Sequence, residues 1–286
     1  MAGIVLALWK PVPFEVPAFV PKIILVLMLF VVFLKIDALE ILENIRNYRL
    51  MIYVTIVYMV VIPVFFFFLI KIFDTGLATG ILLLTAMPAG VSTPALTDIV
   101  KGNIPMSMSL AITSQLAAPF TVPLLFWLVA GSSVPVNKIL LLKDMAILVF
   151  LPMIISQIIK RYIPATIQKT RHLFTSANIF LLFAFVYITL SIQRNVIINN
   201  PVDVIWQTGL LYLVFISLHV IGYFIAFKEK KENRTAIAIG AAYTNNGLAI
   251  VLAVSYFRPE ILVLMVLSEI PWSTLPALFR KFITKL

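Results

Sequence analysis

The chain is built from apolar runs of about 20 residues, the length that carries an α-helix across the hydrocarbon core of a bilayer. Nine such runs follow one another, centred on Lys22 to Leu39, Leu50 to Ile72, Gly76 to Val100, Met106 to Ala130, Ile139 to Ile159, Leu173 to Ile192, Trp206 to Phe227, Thr235 to Tyr256 and Leu262 to Leu278. Hydrophobic residues make up 62% of the 286 and charged residues only 12%, whereas a soluble domain carries roughly 25% charged residues. The expected class is an all-α integral membrane protein, whose first partner is the lipid bilayer.

Residues 1–21 are broken by Lys10, Pro11, Pro13, Glu15, Pro17 and Pro21. The expectation is an external N-terminal segment that does not span, with neither the basic start nor the small-residue cleavage site of a secretory signal. Short cytoplasmic loops collect Lys and Arg. Most of the 22 basic residues fall in alternate loops and the C-terminal tail, at Lys35, Arg46, Arg49, Lys101, Lys160, Arg161, Lys169, Arg171, Lys228 to Arg234 and Arg280 to Lys285. That asymmetry puts the N-terminus outside and the C-terminus in the cytoplasm of a multi-pass protein of the cell membrane. The net charge of +10 therefore reads as juxtamembrane anchoring, with no nucleic-acid partner expected. With no cysteine in the chain, disulfides, thiolate metal sites and thiol catalysis are excluded.

The third and eighth runs differ from their neighbours. The third holds Ala86-Met87-Pro88-Ala89-Gly90-Val91-Ser92-Thr93-Pro94, and prolines in mid-helix remove backbone hydrogen bonds and clash with the preceding turn. The eighth carries Tyr243-Thr244-Asn245-Asn246-Gly247 within an apolar run. Irregular or polar backbone at that depth persists only where it faces protein or a watery cavity. A pair of interrupted helices in matching positions of two halves points to the substrate site of a secondary transporter.

The two broken runs are five apart, and an odd number of spans turns the second unit over in the membrane. The expected plan is an inverted repeat of five-helix units, the first lacking its opening helix: residues 22–131 form the first repeat and 132–286 the second.

At these residues the chain resembles the bile acid:sodium symporter family, within the wider group that includes arsenite and auxin-type carriers. The resemblance is carried by Pro88-Ala89-Gly90, Lys101-Gly102-Asn103, Ala118-Pro119 and Asn245-Asn246-Gly247-Leu248-Ala249. It implies two inverted five-helix repeats arranged as core and panel domains, with the broken helices crossing near the midplane. It also implies nine spans and an external N-terminus for members without the first helix, and alternating access, usually coupled to sodium.

The family's sodium pattern is where the sequence departs. A Ser-Asn pair becomes Thr93 and Pro94, a glutamate falls at Gly240, and a glutamine before the second break becomes Thr244. A further glutamine corresponds to Tyr58, and of two hydroxyl positions Ser107 is kept while the other is Ala111. Losing the carboxylate and the amides together leaves sodium coupling unexpected and the coupling ion open.

Glu269 lies inside the last run, where an ionisable group is costly and marks a functional hypothesis; it is the candidate for proton coupling. Its bland alternative is a hydrogen-bonded brace beside Pro271. His219 has no acidic neighbour in sequence and is expected to make a structural hydrogen bond. With two histidines in distant segments, neither a nucleophile with its base nor a metal cluster is discernible, so no enzyme and no metal site are expected. The sequence reading is a secondary transporter for a small organic solute, its anionic character resting on the family resemblance. Ser92, Thr93, Ser107, Thr244, Asn245 and Asn246 would supply polar contacts and the helix ends their dipoles. The alternative is a passive channel or a non-transporting scaffold of the same fold.

Overall fold

The computed structural model describes residues 2–17, 19–35, 48–130 and 137–283. Arg46, Lys285 and the expected boundary between residues 131 and 132 lie outside the described residues.

Among the described residues six helices are long and apolar enough to span a bilayer: α3 (Tyr48–Lys71), α6 (Ile104–Val129), α7 (Lys138–Tyr162), α9 (Leu173–Asn199), α10 (Pro201–Ile225) and α13 (Pro259–Ile283). The first apolar run is α2 (Phe19–Lys35), at 17 residues. Runs three and eight are each split in two, into α4 (Thr75–Thr85) and α5 (Thr93–Ile99), and into α11 (Lys231–Ala242) and α12 (Asn246–Tyr256). Two short helices complete the described residues, α1 (Ala2–Trp9) and α8 (Pro164–Thr170).

The helix starts are written into the sequence. Asp74 accepts from the Leu77 amide at 2.7 Å, Asn103 from Met106 at 3.1 Å and Asn137 from Ile139 and Leu140 at 3.2 and 3.1 Å. Each side chain satisfies amides that the first helical turn leaves without partners. In α3 a π turn over Val57–Val61 precedes Pro63, whose missing N–H interrupts the regular hydrogen-bond ladder. That turn aims Tyr58 at the first break.

The helices sort into two layers. In one, α2 packs against both α7 and α9, and α1 packs on α9; in the other, α3 to α6 and α10 to α13 pack on each other. Many pairings recur five segments on: α3 with α4 and α10 with α11, α5 with α6 and α12 with α13, α4 with α13 and α11 with α6. Lys22 and Asp144 form an ion pair at 3.1 Å near the starts of α2 and α7, and Gln157 donates to the Phe33 carbonyl at 3.0 Å near their ends.

The first 21 residues hold more structure than their prolines suggest. Eight residues are too few to span, yet α1 lies along α9 much as α7 lies along α2. Ile4 and Ala7 are buried there. Arg194 and Tyr187 of α9 donate to the Leu8 and Lys10 carbonyls at 2.8 and 2.9 Å.

Candidate functional site

The two helix breaks meet. Ala89 and Thr244 form an isolated antiparallel bridge. The Gly90 amide donates to the Tyr243 carbonyl and the Asn245 amide to the Pro88 carbonyl, both at 2.8 Å. Backbone freed by Pro88 in one helix and by the polar stretch in the other is thus satisfied across the junction, which a membrane interior demands. The remaining amide at the first break, that of Ala89, donates to Tyr58 Oη at 2.8 Å and lies 3.1 Å from Ser114 Oγ. The Ala89 carbonyl accepts from Gln115 Nε2 at 3.4 Å. A side chain at Gly90 would sit 2.9 Å from the Tyr243 carbonyl oxygen, so only glycine lets the strands approach.

On the far side of the second break, His219 Nδ1 donates to the Phe215 carbonyl at 2.7 Å, leaving Nε2 to accept from the Tyr243 hydroxyl at 2.9 Å. His219 therefore braces Tyr243, whose ring meets Trp272 edge-on at 5.8 Å.

A cavity of about 30 Å³ lies at the crossing, lined in part by Ser92, Thr244, Asn245, Asn246, Glu269 and Trp272. It shares Met28, Val91, Ser92, Leu182 and Trp272 with a second cavity of about 490 Å³, which lies between α2 and α9 on one side and α5, α6 and α13 on the other. The larger space is mostly apolar. Lys35 and Arg171 are the charged residues of its described lining. Lys35 Nζ donates to Thr175 Oγ1 at 3.0 Å and Arg171 to the Lys35 carbonyl at 3.3 Å, so both cations are held at the rim.

Polar atoms without a protein partner gather around these two cavities. Of the seven such buried atoms among the described residues, five lie here: Gln115 Oε1, Asn178 Oδ1 and Trp272 Nε1 on the larger, and Asn245 Nδ2 and Asn246 Oδ1 on the smaller; Gln207 Oε1 and Thr208 Oγ1 lie apart in α10. Buried polar groups normally find partners, and unmatched donors and acceptors around one space are what a polar ligand completes.

The six residues expected to contact solute divide. Ser92, Thr244, Asn245 and Asn246 face the small cavity, with Glu269 beside them. Asn245 Oδ1 also caps α12 by accepting from Leu248 at 3.1 Å, and the Thr244 hydroxyl donates to the Leu84 carbonyl at 3.1 Å. Thr93 donates to the Gly90 carbonyl at 2.7 Å, and Ser107 accepts from Thr97 at 3.0 Å; neither lines a described cavity. Gln115, Asn178, Trp272, Lys35 and Arg171 were not legible as site residues, because each looks ordinary in its own run or loop and only packing brings them together.

The positions of the sodium pattern are filled in other ways. A side chain at Gly240 would run into Leu110, Tyr58 Oη is engaged by the Ala89 amide, and Thr93 Oγ1 points back to its own turn. Among the described residues no three His, Cys, Asp or Glu side chains converge as a metal cluster.

An all-helical membrane protein whose two interrupted helices pair at their breaks, beside a cavity ringed with unmatched polar atoms, has the architecture of a secondary transporter. Residues 22–200 match the model of the Sodium Bile acid symporter family, and the chain belongs to that family, one of transporters rather than enzymes. It is 29% identical over 190 residues to the "Uncharacterized sodium-dependent transporter YocS" of Bacillus subtilis (strain 168), covering 64% of this chain and 57% of that protein. It is 25% identical over 187 residues to the "Probable sodium/metabolite cotransporter BASS1, chloroplastic" of Oryza sativa subsp. japonica, covering 63% of this chain and 44% of that one. To the "Uncharacterized protein YbaS" of Bacillus subtilis (strain 168) it is 22% identical over 209 residues, covering 70% of this chain and 67% of the relative. The chain thus spans about half the length of the first two relatives.

Proposed function

We propose that this chain carries a small organic anion across the cell membrane by alternating access, the two layers moving against each other about the crossed breaks. The observation that carries this reading is the 490 Å³ cavity between the layers, whose described lining includes Lys35 and Arg171 and no carboxylate. Its volume lies in the range of small-molecule sites, and its mostly apolar wall with a few fixed polar groups is what such sites use. Asn245 Nδ2, Asn246 Oδ1, Gln115 Oε1 and Trp272 Nε1 supply both donors and acceptors to a bound solute. The basic loops favour an external N-terminus and a cytoplasmic C-terminus.

Sodium is disfavoured as the driving ion. A sodium ion is stabilised by several converging oxygens, and the positions at which relatives of this fold would supply them are here Gly240 under Leu110, Ala111, Pro94 and the turned-back Thr93. Uptake of radiolabelled organic anions, a bile acid and shorter carboxylates, into proteoliposomes under imposed gradients tests the reading. Saturable uptake that a sodium gradient does not accelerate is expected. Absence of saturable flux for every anion would remove the transporter reading. Downhill flux indifferent to any ion gradient would favour a passive channel.

A further inference from the structure

We propose that Glu269 is a reversible proton-binding site at the crossing, through which a proton moves with the solute; this rests on the transporter reading above. The carboxyl sits just after Ser268, where α13 turns out of regular helix, and is only 6% exposed. It faces the small cavity at the second break, and through Ser92 and Trp272 that cavity adjoins the larger one. A route for water-borne protons therefore ends at this group. The volume of about 30 Å³ holds a water or two and not an organic solute.

Among the described residues the surroundings carry no fixed countercharge. The lining contributed by α2, α9, α12 and the two breaks holds no Lys, Arg, His or second carboxyl among the described residues. The nearest phenol, Tyr243, is engaged with His219. A buried carboxylate without a paired cation is costly, so the neutral form competes with it.

Asn246 is what makes the binding reversible. Its amide orientation follows from Ser268, whose hydroxyl donates to the Met265 carbonyl at 2.6 Å and so accepts from Asn246 Nδ2 at 2.9 Å. That leaves Nδ2 with a second hydrogen and Oδ1 without a donor. The Glu269 carboxyl lines the same small cavity as that amide. Ionised, it accepts the second Nδ2 hydrogen; protonated, it can donate to Oδ1. One amide satisfies both states, and no covalent change is needed beyond a proton passing between water and carboxylate.

The same geometry disfavours sodium here. Among the groups around Glu269, the Thr244 hydroxyl donates to Leu84 and Asn245 Oδ1 caps α12, so few oxygens remain to replace an ion's hydration shell. A proton needs only the carboxylate.

Infrared difference spectroscopy of the full chain in lipid nanodiscs, titrated with acid, reads the site without a solute. A buried carboxyl C=O band should grow as pH falls, vanish in Glu269→Gln, shift in Glu269→Asp, and stay unmoved when choline chloride is replaced by sodium chloride at equal concentration. The Asp variant and the wild-type titration keep the test decisive where the Gln variant does not fold. No titrating buried carboxyl, a band unchanged in both variants, or a band displaced by sodium overturns the proposal. Failure of the transporter reading registers separately, as absent uptake in vesicles while the band still titrates.

Discussion

Ala89 and Thr244, far apart in the chain, face each other as a single antiparallel bridge where two interrupted helices touch. The consequence is mechanical. Two hydrogen bonds of 2.8 Å flank the bridge, so α4, α5, α11 and α12 are tied at one point. Anything that prises Ala89 from Thr244 should harm fold and transport together.

Gly90→Ala tests this most directly. The new methyl would lie 2.9 Å from the Tyr243 carbonyl oxygen and 3.2 Å from that of Thr244, and forcing an atom into a packed crossing costs about 1–3 kcal/mol. The melting temperature in detergent should fall and uptake should be lost. Gly209→Ala in α10, where nothing lies within 4 Å, should leave both intact, so the pair separates a crossing effect from a general loss of glycine.

Tyr58 and Ser114 share the Ala89 amide, which sets up a double-mutant cycle. Tyr58→Phe or Ser114→Ala alone leaves that buried N–H one acceptor and should cost about 1 kcal/mol. The double variant leaves it none, at a further cost of about 1–3 kcal/mol. A strongly non-additive loss in denaturation experiments is expected; strict additivity would mean that the two acceptors act independently.

Asn245 has two functions that substitution can part. Its Oδ1 caps α12, while its Nδ2 is unpartnered beside the cavity. Asn245→Ser keeps a capping oxygen, so stability should stay within about 0.5 kcal/mol, whereas Asn245→Ala should lose about 1 kcal/mol. Both remove the amide donor and should weaken solute uptake alike. Full uptake by the Ser variant would show that Nδ2 does not meet the solute.

These residues also show how far the sequence could be read. Pro88, Gly90 and the polar stretch at Thr244 to Asn246 announced the two breaks, because proline and buried amides leave a mark within a few residues. Their pairing left none, since hydrogen bonds between distant segments have no local signature. The prolines at 11, 13 and 17 were visible as breakers and hid α1, whose position depends on Tyr187 and Arg194 of α9 reaching its last carbonyls. Thr93 and Ser107 looked free to bind solute as hydroxyls in an apolar run. The structure engages them with Gly90 and Thr97, while Trp272 and Gln115, unremarkable in sequence, present unmatched atoms to the cavity.

The rim of the larger cavity supports a prediction about charge. Arg171 is on an exposed turn before α9 and donates to the Lys35 carbonyl at 3.3 Å, so it acts on an arriving anion through the field it shares with Lys35 more than through one fixed contact. Arg171→Ala should raise KM for an anionic solute about fivefold, equivalent to roughly 1 kcal/mol for a solvent-accessible charge, with little change in the maximal rate. Arg171→Lys keeps the charge and loses the planar fork, so it should recover most of the affinity. Because exposed charges are screened within about 10 Å at 0.1 M salt, the gap between wild type and Arg171→Ala should close as ionic strength rises. Uptake measured across a choline chloride series reads this directly. A gap that persists at high salt would mean that Arg171 binds the solute at short range inside the cavity, and an unchanged KM would mean that the anion enters elsewhere.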